Sequence, residues 1–314
     1  MDVLILGTGA MASLAGAQLA RAGRASVTFA GTWGAGLDAI DTDGVTVEEV
    51  AGTWTATARA LPIGMVPPGA TDLVVVLVKS HRTRDVAAVA ALAARPEGLV
   101  LTLQNGLGNR EVLERACGRG RVAVGVITAG ATLAAPGRVR VAARGSVTLA
   151  EDGIGPGELK TLVALFAGAG FVVETAAEAE PLVWRKLAVN CAINPLSALL
   201  GLTNGALLAS APARQRLACA AREVAAVAAA RGVVLGDDPV RLALEVAART
   251  SRNRSSMLQD LDRGSATEID FLCGAVVREG RRLGVPTPVN DWLWREVLRR
   301  ESQGPAAHPE LGGP

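Results

Sequence analysis

Val3-Leu4-Ile5-Leu6-Gly7-Thr8-Gly9-Ala10-Met11-Ala12 opens the chain with a short aliphatic run followed at once by the pattern G-x-G-x-x-A. A helical pattern continues through Leu14, Gln18, Leu19 and Arg21 to Gly23, and Val27-Thr28-Phe29 reads as a second strand. Strand, glycine loop, helix and strand is the order of a βαβ unit that cradles a dinucleotide. Gly7 permits the tight turn, Gly9 lets the backbone approach a pyrophosphate, and Ala12 lets the helix pack closely on the strand. The helix N-terminus, with Thr8, Ala10 and Met11 around it, faces the negative charge. A structural glycine turn is the alternative reading of such a motif in isolation. Its position, directly after a strand and opening a helix, favours the dinucleotide.

Working outward, Leu73-Val74-Val75-Val76-Leu77-Val78, Leu99-Val100-Leu101-Thr102-Leu103 and 122–127 are further continuous apolar runs, as expected of buried parallel strands. Helical spacing fills 84–94 and 110–116. This alternation implies a mostly parallel, doubly wound sheet, on which ligands bind outside the carboxyl ends of the strands. Those ends carry the glycine loop, Lys79, and Gln104-Asn105-Gly106, so phosphate-binding, cationic and amide groups are expected in one crevice. Lys79 by itself reads more readily as a solvated loop lysine, and His81 as an ordinary loop residue. The runs 137–141 and 146–149 suggest a hairpin around Arg144-Gly145. A helix over 157–169, a strand at Phe171-Val172-Val173 and a boundary over 175–181 complete this half.

After Pro181 the pattern is helical, over 182–194, 212–231, 238–262, 266–283 and 290–301, with Gly232, Gly264 and Gly284 at plausible ends. Within it lies Trp184-Arg185-Lys186-Leu187-Ala188-Val189-Asn190-Cys191-Ala192-Ile193-Asn194-Pro195. Lys186, Asn190 and Asn194 are spaced four apart and so share one face of an otherwise apolar helix. Polar groups beside a buried surface cost free energy unless they find partners. Either that stripe meets a polar ligand, or the asparagines cap a helix that Pro195 kinks or ends just beyond Asn194. A helical domain docked on a dinucleotide domain would supply an interdomain cleft for a small molecule.

A chain of 314 residues is long for one core, so two domains are expected. The expected fold is α/β: an N-terminal doubly wound, Rossmann-type dinucleotide-binding domain over 1–178, plus a C-terminal all-α domain over 179–303. Residues 304–314 read as a loose tail. The net charge of +2 argues against nucleic-acid or membrane partners. Two distant histidines, His81 and His308, and four cysteines without C-x-x-C spacing argue against a metal site. The cysteines read as reduced core thiols of a cytoplasmic protein. The N-terminus lacks the basic segment of a signal peptide, and the longest apolar stretch, 187–203, is broken by Asn190, Asn194 and Pro195.

Several stretches together resemble ketopantoate reductase (2-dehydropantoate 2-reductase) from residue 3 to about 301. They are the glycine-rich unit, Val78-Lys79-Ser80, Gln104-Asn105-Gly106-Leu107-Gly108, the Trp184–Asn194 segment, Ser255-Ser256-Met257-Leu258-Gln259-Asp260 and Thr267-Glu268-Ile269-Asp270, with Gly284-Val285-Pro286-x-Pro288 as a late loop. The resemblance implies reduction of 2-dehydropantoate to (R)-pantoate, a step toward pantothenate and coenzyme A. It also implies roles. Lys186 matches the proton donor to the ketone oxygen, and Asn190, Asn194 and Asn204 match substrate-binding amides. Ser256 matches a residue at the substrate carboxylate. Glu268 matches an acid near the substrate hydroxyl, the lysine and the cofactor. Lys79, Asn105 and the backbone at Ala131 match cofactor contacts, Asn105 touching substrate as well.

One departure concerns the cofactor. NADPH-preferring members of that family place an arginine just after the second strand, whereas this chain has Phe29-Ala30-Gly31-Thr32-Trp33-Gly34. No Asp or Glu lies between Gly7 and Gly36 to hold the ribose diol of NAD. Thr32 is a candidate phosphate contact, so the expectation is NADPH, with NADH as the alternative. Two alternatives stand beside the leading activity: the same reduction on another 2-oxo acid or ketone, and a nucleotide-binding sensor without catalysis. A second copy of the chain is a candidate partner, though no exposed stripe singles out a dimer face.

Overall fold

The computed structural model describes residues 1–304, so the loose tail expected over 304–314 lies, from 305 onward, outside the described residues. The chain forms two compact units. One contains Met1–Gln104 and Gly108–Ala179; the other contains Asn105–Leu107 and the chain from Glu180 onward.

The first unit runs β1 (Asp2–Leu6), α1 (Ala10–Arg21), β2 (Ser26–Gly31), α2 (Gly34–Asp43), β3 (Val45–Glu49), β4 (Gly52–Ala56) and β5 (Arg59–Pro62). It continues with β6 (Thr71–Val76), α3 (Thr83–Ala93), β7 (Ala94–Thr102), α4 (Asn109–Cys117), β8 (Val122–Ile127), β9 (Gly130–Ala135), β10 (Arg138–Ala143), β11 (Ser146–Ala150), α5 (Pro156–Gly168) and β12 (Val172–Ala176). Eight strands make one sheet in the order β12-β11-β8-β7-β6-β1-β2-β5. All its pairings are parallel except β11 with β8.

The two-residue period of a strand explains why these runs are continuously apolar. Val3, Ile5, Leu73, Val75, Leu99 and Leu101 enter the core on one face, and Leu4, Leu6, Val74, Val76 and Val100 the core on the other. Each such side chain contributes about 1.5–3 kcal/mol by full burial, which makes the centre of the sheet the rigid base of the strand-end loops. Helix α1 packs closely on this sheet at Gly16, where an added Cβ would lie 2.2 Å from the Phe29 ring.

The structure departs from the sequence reading in several places. The runs around Arg144-Gly145 are not a hairpin, because their strands belong to different sheets. β10 pairs antiparallel with β9 across the Pro136-Gly137 turn and parallel with β3, while β11 joins β8 and β12. β9, β10, β3 and β4 thus form a second sheet, in the order β4-β3-β10-β9, which the motif-led reading passed over.

The second unit contains α6 (Ala179–Leu200, beginning at the junction), α7 (Asn204–Ala209), α8 (Ala211–Ala230), α9 (Pro239–Arg249), α10 (Ser256–Asp262), α11 (Cys273–Leu283) and α12 (Pro288–Ser302). α6 does not end near Asn194 but continues through Pro195. Leu196, Ala198 and Leu199 beyond the proline are buried at 3% exposure or less, and this burial offsets the one lost backbone bond. The stretch 238–262 is two helices, broken at 250–255, where the Ser255 hydroxyl starts a new helix by accepting from the Leu258 N–H at 3.1 Å. The stretch 266–283 is likewise a 3-10 turn at Ile269–Phe271 followed by α11. No helix among the described residues is long and apolar enough to cross a membrane.

Gly16→Ala is expected to lower stability by about 1–3 kcal/mol, because the helix or the Phe29 ring must move to admit one methyl. Denaturant unfolding checks this; an unchanged midpoint would show that the helix–sheet spacing is not tight.

Candidate functional site

In the first unit, the glycine loop after β1 is built by backbone approach. Gly7 has φ +124°, donates to the Ala30 carbonyl at 2.9 Å, and an added Cβ would lie 3.0 Å from the Leu77 carbonyl oxygen. A side chain at this position would be strained in backbone and in space. Gly9 caps α1 with open space where a Cβ would stand, no side chain caps the helix, and its first turn holds no acid. The N–H groups of Ala10, Met11 and Ala12 therefore begin a helix whose positive end is left for an anion, with Thr8 buried beside it. These residues fit a pyrophosphate.

The neighbouring strand ends are braced. Gln104 Nε2 donates to the Val78 carbonyl at 2.9 Å and to Thr83 Oγ1 at 2.8 Å. Thr83 Oγ1 donates to Asn109 Oδ1 at 2.8 Å, and Asn109 Nδ2 to Ser80 Oγ at 3.2 Å. This buried polar cluster holds the turn in which Lys79 caps the 3-10 segment Ser80–Arg82. The sequence reading noted Gln104 at a strand end but missed Thr83 and Asn109 as its supports. His81 is exposed in that turn. Thr32 is exposed directly after β2, and Ala131 lies within β9, opposite Val141 of β10.

In the second unit, Lys186, Asn190 and Asn194 are half-buried on α6, flanked by buried Trp184, Leu187, Ala188, Cys191 and Ile193. The capping explanation fails, since α6 extends to Leu200 and both asparagines lie inside it. Among the described residues, neither side-chain amide makes a protein hydrogen bond that would occupy it. Burial pulls the Lys186 ammonium down to a pKa of about 8, and the Glu268 carboxylate opposes the fall. Glu268 is 6% exposed and accepts from Asn105 Nδ2 at 2.9 Å.

Asn105 reaches Glu268 because its segment packs on the helical unit. Leu107 N–H donates to the Phe271 carbonyl at 3.1 Å, and Gly106 adopts φ +82° against the same residue. Asn204 Nδ2 donates to Thr250 Oγ1 at 2.8 Å, and its backbone N–H to the Asn253 carbonyl at 2.9 Å. Its Oδ1 is buried without a donor, an arrangement costing about 1–3 kcal/mol that a ligand hydroxyl would relieve. Ser256 is the exposed first residue of α10. Ser255, missed by sequence reasoning as a brace, also donates to the Asn194 carbonyl at 3.4 Å. Among the described residues no cluster of His, Cys, Asp and Glu is arranged to hold a metal.

Gly106→Ala would place a Cβ 2.5 Å from the Phe271 carbonyl oxygen in a backbone conformation that disfavours it. This variant is expected to lose about 1–3 kcal/mol of stability and to displace Asn105 from Glu268. Unfolding midpoints check the first effect, and the pH at which Lys186 deprotonates checks the second.

Known proteins resemble the chain along nearly its whole length. The family described as Ketopantoate reductase PanE/ApbA matches residues 3–153, and the one described as Ketopantoate reductase PanE/ApbA C terminal matches 178–301. The 2-dehydropantoate 2-reductase of Halobacterium salinarum is 38% identical over 92% of this chain and 95% of its own. A ketopantoate reductase structure from Ralstonia eutropha JMP134 is 34% identical with a TM-score of 0.87, covering 96% of this chain and 99% of that one. D-mandelate dehydrogenase, solved with NADH and anilino(oxo)acetate, is 25% identical with a TM-score of 0.89, covering 96% and 99%. On these matches, over both units, the chain belongs to the ketopantoate reductase family.

Proposed function

We propose that the protein reduces 2-dehydropantoate to (R)-pantoate with NADPH. The observation that carries the reading is Lys186, a desolvated lysine with a pKa near 8 beside the Glu268 carboxylate, on a helix face whose two amides are uncommitted. Relatives bearing the name 2-dehydropantoate 2-reductase support the substrate. A dinucleotide held there would supply the hydride that the ketone carbon accepts.

As negative charge grows on the ketone oxygen, the Lys186 ammonium stabilises it and then donates a proton, leaving an alcohol and a neutral amine. Glu268 keeps that ammonium charged, and Asn105 fixes the carboxylate. Asn190 and Asn194 orient the 2-oxo acid through their free amides, and Asn204 Oδ1 takes a substrate hydroxyl. Ser256 meets the carboxylate at the start of α10. On the cofactor side, Gly7, Thr8, Gly9, Ala10, Met11 and Ala12 hold the pyrophosphate, with Lys79, Asn105, Ala131 and Glu268 as further contacts. The absence of an acid from Gly7 to Gly36 favours NADPH, because a carboxylate there would repel the 2′-phosphate. Thr32 is its nearest hydroxyl donor in sequence.

A second reading, an NADH-using reductase of another 2-oxo acid, draws on two observations. No arginine follows β2, and the NADH-bound D-mandelate dehydrogenase is a close structural likeness.

A panel of 2-oxo acids run with NADPH and NADH tests both readings. The highest kcat/KM is expected for 2-dehydropantoate with NADPH. A tenfold preference for another acid or for NADH would transfer the conclusion to the second reading, and dinucleotide binding without reduction of any of the acids would indicate a sensor. Lys186→Ala is expected to lower kcat by about 10²–10⁴-fold while NADPH still binds. The donor is the protonated form, so the forward rate should fall as pH rises through about 8, and the reverse oxidation should rise through it. Glu268→Gln removes the charge that raises the lysine pKa, so the inflection should move to lower pH.

A further inference from the structure

The structure assigns Trp33 to the adenine ring of the dinucleotide, as an aromatic stacking face directly after β2. This inference rests on the cofactor reading above and concerns the first unit alone. Trp33 is 40% exposed, and among the described residues no other Trp or Phe is as open to solvent. It follows Thr32 at the carboxyl end of β2, the end that abuts the phosphate loop. There Gly7 N–H is bonded to the Ala30 carbonyl, and a Cβ on Gly31 would lie 3.4 Å from the Thr8 methyl. In a βαβ dinucleotide site, the residue after the second strand reads the adenosine ribose. Adenine is one glycosidic bond further on, within the span of the next side chain.

The indole is also held in place, which an incidental surface tryptophan is not. Trp33 caps α2, and its carbonyl accepts the N–H groups of Gly36 at 3.1 Å and Leu37 at 3.0 Å. Its six-membered ring lies against Gly36, where a Cβ would come within 2.2 Å of Cε3 and 2.6 Å of Cζ3. Glycine inside a helix disfavours it relative to alanine, so Gly36 is a cost unless the seated indole has a use. A ring seated on the helix with open surface offers a base a stacking partner. Stacking is indifferent to the 2′-phosphate, so Trp33 would add affinity for NADPH and NADH alike.

The test is equilibrium binding of ADP-ribose and NADPH, followed by calorimetry and tryptophan emission, to the natural protein and to Trp33→Ala, Trp33→Phe and Gly36→Ala. Both ligands are expected to quench emission of the natural protein. Trp33→Ala should bind them about tenfold more weakly, and Trp33→Phe, which keeps a ring, should recover most of the loss. Gly36→Ala should weaken binding as well, although it retains the tryptophan and improves the helix, because the new methyl displaces the indole. Unchanged ADP-ribose affinity in both Trp33→Ala and Gly36→Ala would overturn the assignment while the cofactor reading stood. Failure of the natural protein to bind any dinucleotide would overturn the cofactor reading, and the Trp33 assignment with it.

Discussion

A lysine ammonium drawn out of water, and a carboxylate that keeps it charged, form the interaction on which the proposed chemistry depends. Burial alone drives Lys186 toward the neutral amine, which has no proton to spare for a developing alkoxide. Glu268 works against that drift, and the balance leaves the pKa near 8. At neutral pH this means about a tenfold excess of the protonated form, with a proton held less tightly than in a solvated lysine. A donor whose pKa lies near the working pH gives up its proton most effectively in the transition state. Much of the surrounding structure serves this balance. Asn105 anchors the carboxylate, Gly106 allows the turn that brings Asn105 there, and the apolar flank of α6 maintains the desolvation.

The parts of the fold most legible in sequence are those whose period and chemistry coincide. The runs 3–6, 73–76, 99–101 and 122–127 are apolar on both faces because both are covered, which is the pattern of a buried parallel strand. The second sheet was less conspicuous. β3 alternates buried Val45 and Val47 with less buried Thr46 and Glu48, which is a readable strand signal. Its partner β10 lies some ninety residues along the chain, a pairing local periodicity does not specify. The hairpin expected around Arg144-Gly145 failed for the same reason, since a turn signal says that the chain reverses and not which strand receives it. Pro195 shows the limit of a local rule where tertiary burial of Leu196, Ala198 and Leu199 outweighs one hydrogen bond.

Within the site, the amphipathic oddity of Lys186, Asn190 and Asn194 was visible because four-residue spacing puts them on one stripe. What spacing did not reveal is the supporting network. Ser255 ties the start of α10 to the Asn194 carbonyl, Thr250 holds Asn204, and Gln104 and Thr83 brace the turn before α3. These contacts join segments far apart in sequence, and each residue alone reads as a cap or a loop polar. The glycine loop is legible for the opposite reason, since Gly7 and Gly9 act through backbone conformation that their own identity makes possible.

The chain contains three lysines, Lys79, Lys160 and Lys186, so titration of the protein labelled with ¹³C at lysine Cε gives a spectrum simple enough to follow each group. The resonance lost in Lys186→Arg identifies the relevant signal. The account predicts that it titrates near pH 8 in the natural protein; a titration at the ordinary lysine value of 10.5 would contradict it.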